Sequence, residues 1–134
     1  DGVLMDCDTD MTAQLLHAAK DCVASAAAWQ APLLAGRSPE VHAGLVASGD
    51  QFIESAAVST RLRVAFSEAG HQVLAVEMEG AAIGHVCTVN HVPFVVIRAI
   101  SDGGNEDSPM DYPTFVKLAA ARSAEVVQCL LRDM

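Results

Sequence analysis

The sequence predicts an α/β fold, a sheet with helices packed on its faces, and three observations lead there. Hydrophobic residues make up 51% of the chain but aromatic ones only 4%, a balance that suits close helix-on-sheet packing better than an aromatic-rich β sandwich. Stretches of helical spacing alternate along the chain with short β-branched runs. A mean hydropathy of +0.30 over 134 residues supplies enough apolar material for a buried core.

Taken in order, Thr12 to Trp29 sets Leu15, Leu16, Ala19, Cys22, Val23 and Ala26 at helical spacing, with Thr9 or Thr12 as its cap. Pro32, Gly36 and Pro39 then break the chain. Val41 to Ser48 reads as a strand entering a turn at Gly49 and Asp50. A helix from about Thr60 to Glu68 ends near Gly70, and Val73 to Val76 forms a brief strand. Met78 to Asn90 reads as a helix carrying Ala81, Ala82, Val86 and Val89. The next run, Phe94 to Ile100, reads as a strand, since its β-branched residues are typical of one buried on both faces. Ser101 to Tyr112 is a polar loop with Gly103, Gly104 and Pro109, and a final helix runs from Pro113 to Leu131. Phe115, Leu118, Ala119, Ala121, Val126 and Leu130 are its candidates for burial.

Charge excludes two classes of partner. A net charge of −9 and a pI near 4.7 repel both a phosphate backbone and an anionic membrane surface. The richest apolar run, Val92 to Ile97, is closed by Arg98, and the amino terminus has no signal-peptide pattern. A soluble chain is expected. Cys7, Cys22, Cys87 and Cys129 show no CxxC and no zinc-ligand spacing, so neither a metal nor another cofactor is expected. They fit free thiols of a reducing cytoplasm, with a Cys7 to Cys22 bridge as the pairing left open; a processed, exported chain fits as well.

Ligands of open α/β sheets bind beyond the carboxyl ends of strands, where three polar segments fall: Ser48 to Phe52, Glu77 to Glu79, and Arg98 to Asp102. Each has two readings. Glu77 and Glu79 are either acidic residues at a helix amino terminus, favoured by the macrodipole, or carboxylates that accept from sugar hydroxyls with Met78 packing on the ligand. If the strand continued through them they would point the same way; a helix starting there would separate them. Arg98, Ser101 and Asp102 form either a structural ion pair and a loop cap, or a pocket mouth where a partly desolvated Asp acts as general acid. Phe52 and Ile53 are core residues after a turn, or a platform for a ligand. The five histidines are dispersed, and Ser48 lacks a nucleophile elbow.

Jointly, SGDQFI at Ser48 to Ile53, AVEMEGAAI at Ala75 to Ile83, VPFVVIRAISD at Val92 to Asp102 and SPMDYPTF at Ser108 to Phe115 resemble the methylthioadenosine/S-adenosylhomocysteine nucleosidases. The wider group is the nucleoside phosphorylase and nucleosidase superfamily, and the RAISD ending looks more like the nucleosidases than the phosphorylases. The resemblance runs from about Val41 to the end. It implies a three-layer αβα sandwich with a central mixed sheet, of which residues 1–134 are the carboxy-terminal part of a single domain, incomplete on the amino-terminal side.

The same resemblance implies roles. Phe52 stacks on a purine, and the backbone of Ile53 bonds the adenine edge. Met78 packs on the ribose, and Glu79 binds its 2′ and 3′ hydroxyls. Asp102, oriented by Ser101, protonates the purine N7. Arg98 supports that site, Tyr112 covers the alkylthio end, and Glu77 takes either a ligand or a structural role. The implied activity is hydrolysis of a small-molecule purine nucleoside by a homodimer. Family members are longer at the front, where the Glu that activates the attacking water lies, so these residues alone are expected to bind without hydrolysing unless a separate amino-terminal segment is present. Two other readings of the same motifs are a nucleoside phosphorylase and a non-catalytic storage protein of the same fold.

Overall fold

The computed structural model describes residues 3–25, 39–53, 55–100 and 112–133, the side chains of Tyr112, Thr114, Phe115 and Asp133 excepted. The elements are α1 (Thr9–Ser25), β1 (Leu45–Ser48), α2 (Ala56–Glu68), β2 (Val73–Glu77), α3 (Gly80–Val89) and α4 (Tyr112–Asp133). They fall into two compact units, one holding β1, α2, β2 and α3, the other α1 and α4.

In the α1–α4 unit, Leu15, Ala18, Ala19 and Cys22 are buried on α1 and Val126 and Leu130 on α4. The α1 set follows i, i+3, i+4, i+7, the stripe a helix needs to bury one face. Ala18 and Ala19 let the partner helix approach closely, and full burial of Leu15, Val126 or Leu130 is worth about 1.5–3 kcal/mol each. The helix begins at Thr9, a turn earlier than the apolar spacing suggests. Leu16 and Val23, expected on the buried face, are half-buried at its flanks, while Ala26 lies outside the described residues. All four cysteines are free thiols, so the Cys7 to Cys22 bridge is not formed.

In the other unit, β1 and β2 pair in parallel with Ser48 opposite Glu77. Along β2, Val73, Ala75 and Glu77 are half-buried while Leu74 and Val76 are exposed, the period-2 alternation of a pleated strand. Helix α2 starts four residues before the expected Thr60. Ser55 sits at its N-cap in extended backbone, and Ser59 N–H donates to the Ser55 carbonyl at 2.9 Å, so Ala56 and Ala57 join the first turn. Its end is where a glycine predicts it. Gly70 has φ +81°, His71 N–H donates to the Phe66 carbonyl at 2.8 Å and Gly70 N–H to that of Ser67 at 3.0 Å, the paired bonds of a Schellman motif.

Helix α3 ends with the same two bonds, Val92 N–H to the Cys87 carbonyl at 2.8 Å and His91 N–H to that of Thr88 at 3.2 Å. Here the left-handed position is His91 at φ 55°. Gly84 is buried within the helix because a Cβ there would come within 3.1 Å of two Phe94 ring atoms.

The expected strand over Phe94 to Ile100 is not formed. Residues 92–100 are irregular, 94–97 half-buried and 98–100 exposed. A strand is a paired state, and β-branched propensity reports packing on neighbours more than a backbone preference. Among the described residues this segment has no ladder with another strand; Asp8 N–H donates to the Phe94 carbonyl at 2.8 Å. Strand β1 is likewise shorter than Val41 to Ser48, since residues 41–44 precede its pairing. No helix among the described residues is long and apolar enough to cross a membrane.

Candidate functional site at the carboxyl edge of the parallel strands

Because β1 and β2 run parallel with Ser48 beside Glu77, the residues that follow both strands leave the sheet at one edge. Gly49 N–H extends the pairing by donating to the Glu77 carbonyl at 3.1 Å. Helix α3 starts at that edge, and its amino terminus presents backbone N–H groups with no intrahelical partner. The first bond within the helix is Ile83 N–H to the Glu79 carbonyl at 3.1 Å.

Side chains from both strand ends satisfy the earlier donors. Gly80 N–H donates to Glu77 Oε1 at 2.9 Å and Oε2 at 2.7 Å, and Glu79 N–H donates to Oε2 at 3.0 Å. Ala81 N–H donates to Ser48 Oγ at 3.0 Å. The Glu77 carboxylate also places a negative charge on the positive end of the helix dipole. The strand ends at Glu77 and the helix begins at Gly80, so the two glutamates do not share the strand's alternation. Glu77 caps the helix. Glu79 occupies the N-cap position itself, at φ −121° and ψ −26°, with no side-chain cap hydrogen bond, and its residue is exposed.

Around these groups the edge is open and mixes apolar with polar side chains. Phe52 is 74% exposed and Met78 43%, values that leave both side chains accessible to a ligand. Ile53 is half-buried and lines a depression of about 170 Å³ with Ser48, Asp50, Gln51, Arg61 and Glu77. Val58, Leu62 and Phe66 close it from α2. The α2 contribution, Arg61 above all, is absent from the sequence-based expectations. The signal was there: Val58, Arg61, Leu62 and Phe66 are spaced as one helix face, but a helix taken to start at Thr60 omits its first member.

Of the other expected site residues, Arg98 is exposed and belongs to the α1–α4 unit. Ser101 and Asp102 lie outside the described residues. Tyr112 is the first residue of α4, and its side chain is outside the description. The structure thus brings Phe52, Ile53, Glu77, Met78 and Glu79 to one strand edge and describes no geometry for the expected acid.

Comparison with known proteins shows what the chain as a whole is similar to. The family model described as "Phosphorylase superfamily" matches residues 2–132. A 5′-methylthioadenosine/S-adenosylhomocysteine nucleosidase of Haemophilus ducreyi is 46% identical over 91 residues, 68% of this chain and 38% of the relative. The crystal structure of an S-adenosylhomocysteine nucleosidase from Streptococcus pyogenes, in complex with 5-methylthiotubericidin, superposes with a TM-score of 0.73 at 30% identity, covering 100% of this chain and 49% of that one. A Neisseria meningitidis 5′-methylthioadenosine/S-adenosylhomocysteine nucleosidase in complex with methylthio-immucillin-A gives a TM-score of 0.69 at 33% identity, covering 97% and 48%. The chain therefore spans less than half the length of these relatives.

Proposed function

The chain belongs to the phosphorylase superfamily, and from that premise we propose that it supplies the nucleoside-holding elements of an N-ribosyl hydrolase acting on methylthioadenosine or S-adenosylhomocysteine. The observation that carries this reading is the parallel pairing that delivers Phe52–Ile53 and Met78–Glu79 to a single edge. An exposed aromatic ring, a thioether and a carboxylate are the chemistry that grips a purine nucleoside: a face to stack on, an apolar contact for the sugar, and an acceptor for its diol. The capping role of Glu77 supports giving the ribose to Glu79. That the named relatives are nucleosidases, two of them crystallised with methylthio-bearing ligands, supports the substrate class.

In this account Phe52 stacks on the adenine and the Ile53 backbone bonds its edge. Met78 lies on the ribose, whose 2′ and 3′ hydroxyls donate to Glu79. Asp102, oriented by Ser101 and supported by Arg98, gives a proton to N7 as the C1′–N9 bond breaks and its electron pair passes to the purine. The ribose gains oxocarbenium character, a water adds to C1′, and a carboxylate contributed by the amino-terminal half of the fold takes the water's proton. Tyr112 covers the alkylthio end. The two units are parts of one superfamily domain, a reading supported by a single family match that spans both. Two copies associate, which would cover apolar residues exposed on α3 such as Ile83, Val86 and Val89.

Product analysis tests the reaction. Full-length protein given methylthioadenosine in phosphate-free buffer is expected to release adenine and the free methylthio sugar. A requirement for phosphate, with a sugar 1-phosphate as product, would instead make it a phosphorylase; no release under either condition would favour the storage-protein reading.

A further inference from the structure

The buried seam between α1 and α4 holds a feature that nucleoside chemistry does not use. Cys22 lies on the buried stripe of α1, 7% exposed, and Cys129 is half-buried on α4 beside Val126 and Leu130. Although 107 positions apart in sequence, the two meet, the Cys22 thiol donating to Cys129 Sγ at 3.0 Å. A disulfide needs its sulfurs at about 2.05 Å, so an approach of roughly 1 Å between side chains already facing each other closes the bond. Both are free thiols. We propose that Cys22 and Cys129 are a redox-active pair, a modification site whose oxidation staples α1 to α4.

The exchange needs a low-molecular-weight disulfide as oxidant. Cys129 Sγ, having lost its proton to solvent, attacks one sulfur of the oxidant, breaking its S–S bond and releasing one small thiolate. Cys22 then loses its proton and attacks Cys129 Sγ of the mixed disulfide, releasing the second thiolate. The protein's two sulfurs are oxidised, the oxidant is reduced to two thiols, and the two protons end on those thiols. Order of attack follows from burial. Desolvation, with the Cys129 contact adding to it, pushes the Cys22 thiol up to about 11, so the more accessible Cys129 meets the oxidant first. The staple closes a loop of more than a hundred residues, the class in which a crosslink restricts the unfolded chain most.

The test is to incubate the folded protein with oxidised glutathione, alkylate the remaining thiols, and map peptides by mass spectrometry. The expected result is a chain with no crosslink to another copy, its Cys22 and Cys129 peptides joined and together lighter by two hydrogen atoms, its Cys7 and Cys87 alkylated, with full reversal of the bond by dithiothreitol. Its melting midpoint should lie several degrees above that of the reduced protein. Cys7→Ser should leave the crosslink intact, and Cys129→Ser should abolish it. Four alkylated cysteines, a bridge involving Cys7 or Cys87, a bridge between chains, or a mixed disulfide with glutathione that persists on Cys129 would each overturn the proposal.

Discussion

Replacing Glu77 separates its structural task from the ligand-binding task proposed for Glu79. Its carboxylate serves two backbone donors, Glu79 N–H and Gly80 N–H, the latter shared between both oxygens, so three contacts count as two hydrogen bonds. Removing a side-chain cap costs about 1 kcal/mol, with a range of roughly 0.5–2. Losing a negative charge from a helix amino terminus adds about 0.3–1 kcal/mol. Because Glu77 is half-buried, water replaces part of what is lost, and Glu77→Ala should cost about 1–2 kcal/mol. Glu77→Gln keeps one acceptor oxygen and nearly all the volume, and should cost about half as much. Urea unfolding followed by circular dichroism reads this as a lower midpoint at unchanged slope. Glu79→Gln, at an exposed N-cap that makes no cap bond with its side chain, should move stability by less than about 0.5 kcal/mol while weakening nucleoside binding. A Glu77→Ala midpoint indistinguishable from wild type would refute the capping argument, as would a Glu79→Gln protein destabilised as much as Glu77→Gln.

His91→Gly should raise stability by about 0.5–1 kcal/mol, since φ 55° strains any residue with a Cβ and glycine's larger unfolded-state entropy offsets only part of the relief; thermal unfolding checks this. Gly84→Ala should lower stability by about 1 kcal/mol despite alanine's better helix propensity, because the new Cβ presses on the Phe94 ring at 3.1 Å, and Phe94→Leu in the same chain should recover part of the loss. Cys22 should make stability fall as pH rises from 9 to about 11. Over that window the unfolded chain has ionised Cys22, whose ordinary value is 9.0, while the fold still holds it protonated, its thiol raised to about 11, so unfolding releases a proton and is driven by rising pH. Denaturant midpoints across that range should fall less steeply in Cys22→Ser.

Local chemistry was readable where a residue type demands a backbone. Gly70 announced the end of α2 because left-handed φ suits glycine, while the equivalent place after α3 is taken by His91, which carries no such signal. Leu15, Ala19 and Cys22 on the buried face of α1 were readable from spacing, though Ala18 was not. What could not be read depended on partners far along the chain. Whether Glu77 or Glu79 turns toward the helix hinges on where β2 stops, which its parallel pairing with β1 decides. The run from Phe94 to Ile100 has strand composition, yet a ladder needs a second strand, and composition says nothing of where that strand lies. The meeting of Cys22 and Cys129 is invisible to any spacing rule because it comes from packing of the first helix on the last. Only the resemblance, not residue spacing, favoured general-acid chemistry at Asp102 over a loop cap.

The most direct test of the account is adenine release from methylthioadenosine in phosphate-free buffer, measured side by side for full-length protein with Asp102 and with Asp102→Asn. The substitution removes the proposed proton donor with almost no change in volume, so the expected result is an intact fold, adenine from the parent sequence, and turnover lower by about 10²–10⁴-fold in the variant. Near-normal turnover by a folded Asp102→Asn protein would contradict it.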